Sequence, residues 1–112
     1  MKSLLIRWVL NALALIVTAN LIGGISIKGF GAALIAALVL GIVNAVIKPV
    51  VVLLTLPINF FTLGLFSLVI NGLMLVLASN VVDGFRVEGF FAAVIGALVL
   101  SVISSILNMI FN

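Results

Sequence analysis

Seven side chains in this 112-residue chain carry charge: Lys2, Arg7, Lys28, Lys48 and Arg86 against Asp83 and Glu88. Histidine, cysteine and tyrosine are absent. Acid–base or nucleophilic catalysis needs such groups converging on one cleft, and a metal site needs several His, Cys or carboxylate ligands. Here the two acids fall together in one loop expected to be exposed, and no nucleophile has a base beside it. The inventory predicts a protein without intrinsic catalysis, with no catalytic residue, cofactor or metal. Five scattered cations with a net charge of +3 make no nucleic-acid surface either, and no small-molecule substrate is inferred. The cations read instead as signals of membrane topology.

The elements that carry these few groups are almost wholly apolar. The chain is 67% hydrophobic and 6% charged, with a mean hydropathy of +1.68. One small interior cannot hold that much apolar surface, so the bilayer must be the solvent. Four stretches match the roughly 20 residues that a membrane-spanning helix needs: about 4–22, 29–47, 61–82 and 90–111. Between the second and third lies "KPVVVLLTLPINF", residues 48–60, bracketed by Pro49 and Pro57. It is too short to span. Either the second helix continues through a kink at Pro49, which is favoured, or the segment lies in the interface or dips back into it.

The chain repeats itself at an offset of sixty. "GFGAALIAALVL" from Gly29 returns as "GFFAAVIGALVL" from Gly89, identical at nine of twelve positions, and Asn11, Asn20 and Gly24 match Asn71, Asn80 and Gly84. The expected fold is a single all-α membrane domain, 1–112, built from two tandem helical hairpins. Repeat 1 covers about 1–52, a connecting segment about 48–60, and repeat 2 about 61–112. Lys2 and Arg7 before an apolar run, with Val17-Thr18-Ala19 behind it, also resemble a cleaved signal, but the first span is the counterpart of the third and is expected to stay. Two crossings per repeat make the repeats parallel, unlike the inverted repeats of many alternating-access transporters, so a transporter reading loses ground.

Small residues recur every fourth position along the second span, at Gly29, Ala33, Ala37, Gly41 and Ala45, and along the fourth, at Gly89, Ala93, Ala97, Ser101 and Ser105. Such stripes permit close backbone approach in lipid, and the second and fourth helices are expected to pack against each other along them. The alternative is that the stripes face lipid or another subunit. The loops "GISIKGF" and "GFRVEGF" alternate apolar and polar residues between glycines, which suits short extended segments. These can pair antiparallel, with an ion pair between the equivalent Lys28 and Glu88, or remain solvated turns. Asn11, Asn44, Asn71 and Ser104 are read first as interhelical hydrogen-bond ties, and otherwise as the lining of a hydrated path. A selective channel is disfavoured because the helix interiors hold no ionisable residue.

The positive-inside rule puts Lys2, Arg7 and Lys48 on the cytoplasmic side with both termini, and Lys28 and Arg86 outside. Trp8 and Arg7 then suit an interface anchor at the inner surface. Lys48 beside Pro49 reads as a plain helix ending with a snorkelling charge, or as a contact for anionic lipid.

The stretch from Gly41 to Ser79 and that from Gly84 to Asn108 resemble the bacterial four-span family classed as phage holin family 4, superfamily IV. The most specific parts are Asn44, Lys48, Pro49, the Leu54-Thr55-Leu56-Pro57 turn, Thr62-Leu63-Gly64 and the Gly84 to Phe90 loop. The resemblance implies a multi-pass protein of the bacterial cytoplasmic membrane. It leaves two roles: a non-catalytic structural or accessory envelope component that packs with itself or another membrane protein, or a holin-like oligomer forming non-selective lesions. A small channel or transporter ranks third. The expected partners are the lipid bilayer and either further copies of the chain or another membrane protein.

Overall fold

A computed structural model describes residues 2–111, with the Lys2 side chain outside that description. The order is α1 (Lys2–Leu21), β1 (Ile25–Ile27), α2 (Phe30–Leu54), α3 (Leu56–Phe61), α4 (Phe66–Val81), β2 (Phe85–Val87) and α5 (Phe90–Phe111). Three helices, Ser3–Leu21, Phe30–Leu54 and Phe90–Phe111, are long and apolar enough to cross a bilayer, and α4 is a shorter apolar helix.

Lys48-Pro49 does not end the second helix. α2 runs through Pro49 to Leu54, so the expected boundary near residue 47 moves inward by two turns. Proline removes one backbone donor, a loss that a helix in a membrane protein tolerates where neighbouring groups compensate. The ending comes at Thr55, whose hydroxyl bonds the Val51 carbonyl at 2.7 Å while its amide bonds the same carbonyl at 3.0 Å. With 25 residues α2 is about 37 Å long, more than the roughly 30 Å of hydrocarbon, whereas the 16 residues of α4 give about 24 Å. The third span therefore starts at Phe66 and not near 61. The preceding residues form α3 and a left-handed turn at Leu63 and Gly64 (φ 57 and 85°), closed by the Gly64 amide on the Asn59 carbonyl at 2.8 Å. Phe60, Phe61, Leu63 and Leu65 of this connection are strongly exposed.

The four long helices form a ring in which α1 packs on α2 and α5, and α4 packs on the same two. Among the described residues no Cα of α2 comes within 8 Å of one in α5, nor of α1 in α4. The expected close crossing of the second and fourth helices is thus overturned. What stands between them at one end is the pair of extended loops. β1 and β2 pair antiparallel in the register Ile25↔Val87, Ser26↔Arg86, Ile27↔Phe85. The alternation drives Ile25 and Phe85 into the bundle, 3% and 1% exposed, and turns Ser26 and Arg86 outward. They join Ala12, Leu15, Ala33, Ala36, Ala37, Leu75, Ala78 and Ala97 in one core that draws on all four long helices. The small residues make room for ribbon side chains instead of for the opposite helix. Gly96 shows this: a Cβ there would run into Cδ1 of Ile25. A Cβ on Gly24 would lie 2.5 Å from that of Ala92, and one on Gly84 3.2 Å from that of Ala32, the positions sixty residues apart.

The pairing continues past the strand ends through Lys28 N–H on the Gly84 carbonyl at 2.8 Å and Glu88 N–H on the Gly24 carbonyl at 2.6 Å. The same register removes the expected Lys28–Glu88 ion pair. In an antiparallel pair, equivalent residues away from the centre sit at opposite ends, so Lys28 lies beside Gly84 and Glu88 beside Gly24; both side chains are exposed. Burial follows the sequence repeat: the classes of residues 11–40 recur at 71–100 except at Val17/Leu77, Ile22/Val82 and Ile35/Ile95.

Candidate functional site

Away from the ribbon the ring is not filled. A cavity of about 280 Å³ lies between the helices. Its blind end is formed by Leu15, Ala37, Leu75 and Ala97, which belong to the sealed core, and its other end reaches Lys48 and Ser105. Helical spacing explains the lining: Ala37, Gly41, Asn44 and Lys48 share one face of α2, and Ala97, Ser101, Ser104 and Ser105 share one face of α5.

The four polar residues singled out in the sequence all line this space: Asn11 from α1, Asn44 from α2, Asn71 from α4 and Ser104 from α5. Their roles differ. Ser104 Oγ donates to Asn11 Oδ1, tying α5 to α1, and the Ser104 carbonyl accepts from Asn108 Nδ2 at 2.8 Å. At the equivalent place between α4 and α2, no side-chain hydrogen bond joins Asn71 to Asn44 or to any other described residue, so the expected tie at Asn71 is missing and both amides face the cavity. Asn44 is exposed and Asn71 half-buried, and inside a bilayer unpaired amides are costly unless the space around them is hydrated or takes a polar ligand.

The stripes divide in the same way. Ala33, Ala37, Ala93 and Ala97 are buried beneath the ribbon, whereas Gly41, Ala45, Ser101 and Ser105 are exposed, and all of these but Ala45 line the cavity. Gly29 and Gly89 are exposed at the starts of α2 and α5. Lys48, half-buried, is the one charged residue among the lining. Asp83 and Glu88 are both at the ribbon, so among the described residues no acidic side chain accompanies it.

Several tying residues were not read from the sequence. Trp8, expected as an interface anchor, is half-buried and donates from Nε1 to the Leu34 carbonyl at 2.8 Å, fastening α1 to α2. A Cβ on Gly72 would fall 3.0 Å from the Cα and backbone N of Val94, so glycine there sets the approach of α4 to α5. The available signal was a lone helical glycine at the position where repeat 1 has Ala12. Thr18, 1% exposed, returns its hydroxyl to the Ala14 carbonyl at 2.7 Å and ties nothing else.

A protein-family model described as "Mycobacterial 4 TMS phage holin, superfamily IV" matches residues 2–106. An uncharacterised protein of Streptomyces coelicolor is 43% identical, the match covering 96% of this chain and 94% of that protein. The uncharacterised membrane protein YvlD of Bacillus subtilis is 41% identical over 88% of this chain and 87% of its own length. No solved structure matches.

Proposed function

The chain belongs to the family of four-span phage holins of superfamily IV, and from that premise we propose that it is a non-catalytic component of the bacterial cytoplasmic membrane, folded as a closed monomeric bundle and acting as an accessory envelope protein. The observation that carries this reading is the ribbon. Ile25 and Phe85 fill the ring from one end, and the cavity stops at Leu15 and Leu75 beneath them. A single copy therefore offers no continuous path for solutes. The repeat of burial at an offset of sixty and the antiparallel pairing of equivalent loops support descent from a duplicated hairpin, with repeat 1 about 1–52 and repeat 2 about 61–112. The count of Lys and Arg near the span ends favours a reading with both termini and the cavity mouth on the cytoplasmic side and the ribbon on the other.

The holin-like reading keeps one observation of its own. Gly41, Ala45, Ser101 and Ser105 are exposed and a Cβ on Gly41 would meet nothing within 4 Å, so a small-residue face remains on which copies can assemble. Paired cysteines separate the two. Ser26 and Arg86 are direct partners across the ribbon, where Cα atoms sit about 4.5–5.5 Å apart, within disulfide reach. Oxidation of the Ser26→Cys/Arg86→Cys protein in native membranes is expected to close a bond within one chain. Gly41→Cys and Ser101→Cys alone should stay monomeric. Ladders of crosslinked species from those single variants would move the lesion-forming reading ahead.

A further inference from the structure

Lys48 faces a polar cavity in a molecule whose only two acids are at the other end. Ionisable groups at membrane depth normally find a partner of opposite charge, and among the described residues no Asp or Glu lies near Lys48. Around the lysine the lining offers donors: the amides of Asn44 and Asn71, free of any protein hydrogen bond among the described residues, and the hydroxyls of Ser101 and Ser105. One cation with several neutral donors and no carboxylate is the donor set of an anion site, and the size of the cavity, about 280 Å³, admits a group larger than water.

We propose that this cavity binds the phosphate group of an anionic membrane lipid, with Lys48 as its charge partner and Asn44, Asn71, Ser101 and Ser105 as hydrogen-bond donors. The proposal rests on the membrane reading above but not on the monomeric one. Depth favours a lipid over a soluble phosphate. Lys48 is eighteen residues along α2 from Phe30, about 27 Å at the helical rise, which puts its ammonium close to the far boundary of the roughly 30 Å hydrocarbon layer. A lipid phosphate already sits at that level. Access is lateral as well as axial: Gly41, Ser101 and Ser105 are exposed, no Cα of α5 approaches α2 within 8 Å, and a Cβ on Gly41 would meet nothing within 4 Å. The headgroup can therefore enter while its acyl chains stay outside the ring.

The test uses the full chain in neutral detergent, with lipid retention read by native mass spectrometry. Phosphatidylglycerol is offered against phosphatidylcholine, and inorganic phosphate is added in a separate arm. The parent should retain phosphatidylglycerol at least about fivefold better, Lys48→Gln should fall to the phosphatidylcholine level, and Lys48→Arg should keep the preference, as expected of a charge-assisted contact. Asn71→Leu, which removes a donor and fills the space without changing charge, should also lower retention. Arg7→Gln, which removes a cation outside the cavity, should not. Equal retention by the parent and Lys48→Gln, or an equal loss in Arg7→Gln, would overturn the proposal. Inorganic phosphate that binds alone and displaces the lipid would assign the phosphate site to the free ion and overturn its lipid half, whereas failure to compete supports the lipid. Ribbon disulfide formation is independent of lipid, so a failure here is distinguishable from a failure of the monomeric reading.

Discussion

The two ends of the bundle are built on the same helices and the same small-residue stripes, yet they meet different fates. Toward the ribbon, Ala33, Ala37 and Ala97 are buried in one core with Ile25 and Phe85, and Ala93 is buried as well. One or two turns further along, Gly41, Ala45, Ser101 and Ser105 face open space, and polar groups take over the lining. A stripe of small residues thus licenses close approach without saying what approaches. In lipid this ambiguity is acute, because apolar side chains gain little by meeting each other over meeting acyl chains, and shape alone decides the neighbour. The two ends differ because the extended pair turns Ile25 and Phe85 into the ring, whereas the connection at the other end, α3 and its turn, leaves Phe60, Phe61, Leu63 and Leu65 exposed.

Breaking the sealed end should have the largest effect. Phe85→Ala removes the largest fully buried side chain of the seal and should destabilise the fold by roughly 3 kcal/mol or more, read as a lower unfolding midpoint in mixed micelles. Lys48→Gln at the open end should leave that midpoint unchanged. Next comes a matched pair of glycines. Gly72→Val forces α4 away from the Val94 backbone and should cost about 1–3 kcal/mol, whereas Gly41→Val, with nothing within 4 Å of its Cβ, should fall within about 0.5 kcal/mol of the parent. If Gly41→Val proved as damaging as Gly72→Val, the open end would be packed after all. The smallest expected effect concerns the equivalent polar positions. Ser104→Ala loses the bond to Asn11 and should cost about 0.6 kcal/mol, the mean for such bonds between membrane helices, while Asn44→Ala, which has no partner to lose, should be neutral or stabilising in the same assay.

Much of the sealed end was legible in the sequence. The glycine-bounded alternation of "GISIKGF" and "GFRVEGF" announced two extended segments, and their equivalence allowed an antiparallel pair. The ion pair was misplaced because a symmetric antiparallel register brings together only central residues, and Lys28 and Glu88 are not central. Asn11, Asn44, Asn71 and Ser104 were marked, and the structure gathers all four; that one pair bonds and the other does not depends on side-chain lengths and helix tilt that spacing cannot supply. α2 runs through Pro49 as a kinked continuation requires, but its stop at Thr55 and the late start of α4 at Phe66 are not legible, because an apolar run in a membrane chain reads the same in a helix or in an interfacial turn. The pairing of α2 with α5 failed for the reason the two ends display: the stripes accommodate Ile25 and Phe85, residues assigned to loops.

The central claim is a ring closed at the ribbon and open and wet at the other end. Asn71→Cys tests it most directly, since this residue faces the cavity below Leu75, and the parent has no cysteine to interfere. In oriented vesicles, a membrane-impermeant maleimide should label Asn71→Cys from one face only, opposite to the face from which it labels the exposed Arg86→Cys on the ribbon. Labelling of both positions from the same face, or no labelling of Asn71→Cys from either, would contradict the account.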